Sequence, residues 1–137
     1  MAFGGTSYLA ILVAAVAGFA FGGVYYAVLG RRWMAALGKT QAELGQGGKI
    51  APFVVAAVAQ LVIAFVLAGA IGHLGPGQVT VRNGLVSGAI LWAGLVMTTM
   101  AVNHRFQGSK LSLTAIDGGH WLGVLLVQGL IIGLIGA

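Results

Sequence analysis

The chain has 137 residues, of which 59% are hydrophobic and only 7% charged, with 24 Gly and a formal net charge of +5. So few ionic groups cannot cover the surface of a water-soluble domain of this length. With no Cys and only Glu43 and Asp117 acidic, a disulfide framework, a thiolate metal site, a thiol nucleophile, a paired-carboxylate hydrolase and a carboxylate-rich di-iron bundle are all excluded within one chain.

Four uncharged runs follow one another, each near the roughly 20 residues that cross about 30 Å of hydrocarbon. They span residues 8–30, 50–72, 83–103 and 112–136. Backbone groups in lipid must be satisfied internally and no alternating strand pattern is present, so all four are expected to be helices. The first has no preceding positive charge and is too long for the apolar core of a cleavable signal peptide. After it comes the longest connection, residues 31–49, in which Trp33, Met34, Leu37 and Leu44 can share one side of a short interfacial helix while Arg31, Arg32 and Lys39 reach lipid phosphates. Pro52 sits where a helix start tolerates it, Gly75-Pro76-Gly77 closes the second run with a tight turn, and Ser112 is expected to cap the fourth. The predicted fold is an all-α membrane four-helix bundle, two helical hairpins forming a single domain over residues 1–137.

Charge sets the orientation. The connections 31–49 and 104–111 hold Arg31, Arg32, Lys39, Lys49, Arg105 and Lys110, whereas the connection between them holds only Arg82. This bias places both basic loops in the cytoplasm and both termini outside, and it accounts for the net charge without nucleic acid as a partner. It also argues against dual-topology four-helix proteins, whose charges are nearly balanced.

Small residues recur at helical spacing. Gly18 and Gly22 extend a stripe begun by Ala10 and Ala14, and Gly84 with Gly88 and Gly119 with Gly123 repeat the pattern. Such stripes let backbones approach closely, within one bundle or between subunits. Gln60 and Gln128 fall near the centres of the second and fourth helices, where an unpaired amide is costly. A denser polar group gathers at the basic ends: Tyr25 and Tyr26 close the first run, Thr99 and Asn103 share a face of the third, and Asp117 and His120 share a face of the fourth. Tyr26, Asn103, Asp117 and His120 form the candidate ligand cluster. A carboxylate one turn from an imidazole is the unit that orients a proton-transfer base, so Asp117 and His120 are expected to pair. No nucleophile is visibly matched to them, and no metal site is expected, since His104 would have to supply a third ligand without compact spacing.

The segments Gly22-Gly23-x-Tyr25-Tyr26, Leu29-Gly30-x-x-Trp33-Met34, Leu37-Gly38, Trp92-x-Gly94, Phe106-x-Gly108 and Ile116-Asp117-x-Gly119 resemble the bacterial membrane family catalogued as domain of unknown function 1761. Leu95 stands where that pattern leads one to expect Phe. The resemblance implies a four-helix inner-membrane protein and supplies no catalytic residues. The expected function is that of a small non-enzymatic protein, without cofactor, self-associating through its Gly stripes and binding or passing a small solute. The alternative is an accessory subunit packed on a larger membrane complex, with an enzyme acting on lipophilic substrates a distant third.

Overall fold

A computed structural model describes residues 1–137. Residues before the first helix form a two-residue antiparallel pair, β1 (Ala2–Phe3) and β2 (Thr6–Ser7), closed by Gly4 and Gly5 with φ of 59° and 80°. Both glycines have the positive φ that a tight hairpin turn demands. Gly4 lies on Gly72, so the hairpin seals the terminal end of the bundle.

Helix α1 (Tyr8–Leu37) starts where the Ser7 hydroxyl accepts from the Ala10 N–H at 3.2 Å, and stops at Gly38, whose φ of 74° ends the helix in a left-handed cap. It thus runs past Gly30 and takes Arg31, Arg32 and Trp33 with it. The short helix expected in the connection is reduced to α2 (Gln41–Leu44), held by a reciprocal capping box between Thr40 and Glu43. Next comes α3 (Ala51–Gly72), with Pro52 in its first turn. The third span is continuous from Val81 to Phe106: α4 (Val81–Leu91), capped by Thr80, passes through a π-helical turn at Trp92–Val96 into α5 (Met97–Phe106). Last is α6 (Leu111–Ile135), whose N-cap position is Lys110 and not Ser112; Ser112 already lies inside the first turn.

Four of these spans are long and apolar enough to cross a membrane, which makes the chain a multi-pass membrane protein. Helix α6 is central. It packs along α1 on one side and α4 on the other, while α3 rests chiefly on α1. The core sits in the half nearer the termini, where Ile11, Ala14, Ala64, Leu67, Ala68, Ile71, Val124 and Ile132 are almost wholly buried. Their small residues allow the approach: an added Cβ on Gly84 would run into the Gly129 carbonyl, and one on Gly129 into that of Gly84. In the other half α3 leaves the bundle, and Ala51 to Val55 are all exposed.

Candidate functional site

Where α1 and α3 part, their faces bound a lateral groove of about 550 Å³. Phe19, Gly23 and Ala27 form one wall, Phe53, Ala56 and Ala59 the other, and the floor is His120 and Trp121 of α6. Gly22 makes that floor accessible, since a Cβ there would lie 2.8 Å from His120 Nε2. Gly23, one position on, has nothing within 4 Å of where its Cβ would be. Phe19 and Phe53 face each other across the gap with ring centroids 6.5 Å apart.

The imidazole of His120 is enclosed by rings. Trp121, Tyr26, Tyr25 and Phe21 lie 4.6, 4.9, 5.7 and 6.3 Å away between centroids. The residue is only 7% exposed, and its buried Nδ1 has no hydrogen-bond partner. Hence the expected pairing of His120 with Asp117 is not what the fold makes. Asp117 instead accepts a 2.6 Å hydrogen bond from the Tyr26 hydroxyl, and the Tyr25 hydroxyl donates to the Ile116 carbonyl at 2.6 Å. These two bonds pin the basic end of α1 to the first turns of α6, and Trp33 adds an edge contact to Tyr26 at 5.6 Å.

Of the candidate cluster, Tyr26, Asp117 and His120 therefore come together and Asn103 does not. Asn103 lines a second groove of about 590 Å³, with Thr99 and Gln107 on the α5 side and Ile63 of α3 opposite. Trp121 belongs to the linings of both grooves. His104 is engaged elsewhere, its Nδ1 lying 2.7 Å from the Thr114 hydroxyl. Arg31 and Arg32 are exposed at the end of α1, whereas Trp33 is half-buried.

The two glutamines meet at mid-bundle. Gln128 Nε2 donates to Gln60 Oε1 at 2.7 Å and to the Gln60 backbone carbonyl at 3.1 Å. Both residues are nearly inaccessible, at 3% and 0% exposure, but Gln60 alone reaches the groove lining. Gly18 permits this junction, because a Cβ there would collide with both amides. The other glycines singled out in the sequence are filled from within the chain as well: Gly22 by His120, Gly84 by Gly129, Gly88 by the Leu125 carbonyl, Gly119 by the Tyr25 hydroxyl and Gly123 by the Phe21 ring.

Three features of the site went unread in the sequence: the groove, the ring cage around His120, and the bond from Trp92 Nε1 to the Gly118 carbonyl at 2.8 Å. A signal for the groove was available in Gly22-Gly23, one glycine turned to a neighbour and the next left open.

A family model described as protein of unknown function (DUF1761) matches residues 9–133. No curated protein and no solved structure matches the chain.

Proposed function

The chain belongs to this DUF1761 family, whose description assigns no activity, and we propose that it is a non-enzymatic protein of the bacterial inner membrane that binds a small lipophilic molecule in the groove between α1 and α3. The observation that carries this reading is the groove itself: apolar walls, exposed rims, and a floor with two almost fully buried polar side chains, His120, whose Nδ1 has no partner, and Gln60, whose amide oxygen is engaged by Gln128 while its nitrogen is not. An apolar cleft with a few convergent polar groups is the usual form of a small-molecule site. Its mouth lies along the membrane-spanning faces of α1 and α3, so access is from the bilayer.

Several features favour binding over catalysis or passage. Asp117 is held by Tyr26, and no carboxylate or hydroxyl is hydrogen-bonded to His120, so the base and its orienting partner are not assembled. The bundle interior is closed by the Gln60–Gln128 pair and the aliphatic core beyond it. Self-association ranks second, because all six glycines expected to serve it meet atoms of their own chain. The distribution of Lys and Arg supports cytoplasmic basic loops and outside termini.

Photolabelling tests the reading. A diazirine-bearing hydrocarbon probe in a bilayer should modify Phe53, Ala56 and Trp121 in a saturable manner, and Gly23→Leu, which fills the groove from an open position, should abolish that labelling. Labelling that is non-saturable, or equal in the variant, would mean that the groove is only part of the lipid annulus.

A further inference from the structure

The polar floor of the groove specifies more than an apolar occupant. Gln128 Nε2 is identified by its bond to the Gln60 backbone carbonyl, which can only accept. The Gln60 atom receiving its other bond is therefore the amide oxygen, and the Gln60 nitrogen is left as the free end of a side chain that lines the groove. An amide nitrogen can only donate.

A parallel argument applies to His120. An imidazole enclosed by four rings and making no ion pair carries a single ring proton, since burying a bare cation among hydrocarbon is costly. Its Nδ1 is sealed without a partner. Orphaned buried N–H groups are rarer than orphaned acceptors, so the proton belongs on Nε2, the nitrogen lying against Gly22 at the groove wall. Both polar atoms offered to the groove are then donors.

Gly18 faces the Gln60 amide oxygen and Gly22 faces His120 Nε2, so the Gln60 side chain and the imidazole lie on neighbouring turns of α1, and both line the one groove. A carbonyl oxygen, with two lone pairs, can accept from both N–H groups at ordinary hydrogen-bond lengths where they converge to within about 5 Å of each other, and the two oxygens of an ester can take one each across a wider gap.

We propose that the groove is a binding site for a carbonyl-bearing lipophile, whose apolar chain lies between α1 and α3 while its carbonyl oxygen accepts from His120 Nε2 and from the Gln60 amide. This rests on the groove being a ligand site. A free lipophilic ketone and the acyl ester of a membrane phospholipid share the chemistry, and the choice of bilayer separates them.

The test is competition against the diazirine hydrocarbon by 2-pentadecanone, 2-pentadecanol and pentadecane, with the protein in a bilayer of ether-linked phosphatidylcholine, whose chains carry no carbonyl. Two hydrogen bonds predict that the ketone displaces the probe at a concentration about tenfold or more below that needed for the alkane. In His120→Phe, which keeps the ring packing, the ratio of ketone to alkane competition should shrink about fivefold. Paired Gln60→Leu and Gln128→Leu, which orphans neither amide, should act likewise if His120→Phe fails to fold. Repeating the assay in ester-linked phosphatidylcholine separates the sources: weaker ketone competition there identifies the phospholipid ester as an occupant, and unchanged competition identifies a free carbonyl lipophile. Equal competition by ketone and alkane overturns the acceptor assignment, and competition by the alcohol matching the ketone overturns the carbonyl as the group recognised, either result leaving the groove a ligand site. Absence of any saturable competition removes the site altogether.

Discussion

The contact between Gly84 and Gly129 offers the sharpest test of how the bundle is held. An ideal Cβ on Gly84 would lie 2.7 Å from the Gly129 carbonyl carbon and 3.1 Å from its Cα. Comfortable carbon contacts are about 3.5 to 4.0 Å, so Gly84→Ala requires α4 and α6 to separate by roughly 1 Å. The opposing atoms are backbone, which no rotamer change can move aside. Separation also loosens the neighbouring approaches of Gly88 to the Leu125 carbonyl and of Gly133 to Val81. Overpacking of this kind costs about 1 to 3 kcal/mol, against which replacing a helical Gly by Ala returns up to about 1 kcal/mol. Gly23→Ala is the matched control, with the same propensity gain and nothing within 4 Å of the new methyl. Reversible unfolding in mixed micelles, followed by far-UV circular dichroism, should place Gly84→Ala about 1 to 3 kcal/mol below Gly23→Ala. Adding Gly129→Ala to Gly84→Ala should cost less than it does alone, since the same gap is already open. Equal stability of the Gly84 and Gly23 variants would refute close backbone packing as the force joining α4 to α6.

Two further outcomes follow from the site and the charges. Tyr26→Phe should cost about 1 to 2 kcal/mol through loss of its bond to Asp117, with clear coupling in a double-mutant cycle with Asp117→Asn, whereas Asp117→Asn and His120→Phe should be additive within about 0.5 kcal/mol; the reverse pattern would restore an Asp117–His120 pair. Single Cys residues introduced at Gly47 and Gln107 should be shielded from a membrane-impermeant thiol reagent in intact cells while one at Gly77 reacts, and inverted labelling would overturn the assigned orientation.

The membrane-spanning architecture was legible because hydropathy and length alone decide what a bilayer accepts, and each of the four runs announces itself. Helix ends were less so. Arg31 and Arg32 read as the exit from the membrane, but a helix can continue past the bilayer, and the stop is Gly38, where a left-handed residue ends the hydrogen-bond ladder. Gly4-Gly5 between Ala2-Phe3 and Thr6-Ser7 carries a hairpin signal, obscured because so short a pair is stable only when docked on Gly72. The π-turn at Trp92–Val96 has no simple sequence mark. Within the site, spacing along α6 correctly set Asp117 and His120 near one another. Which of them Tyr26 would reach depends on how α1 and α6 are rotated about their axes, a property of the pair of helices that neither sequence alone contains. Asn103 was misplaced for the same reason: sharing a face with Thr99 was right, but that face looks into the other groove.

Occupation of the groove by a lipophile is measured directly by native mass spectrometry of protein gently extracted from its own membrane. Wild-type protein should retain a bound lipophilic molecule that Gly23→Leu protein, equally folded, lacks. Identical spectra for the two, with neither carrying a small molecule, would contradict it.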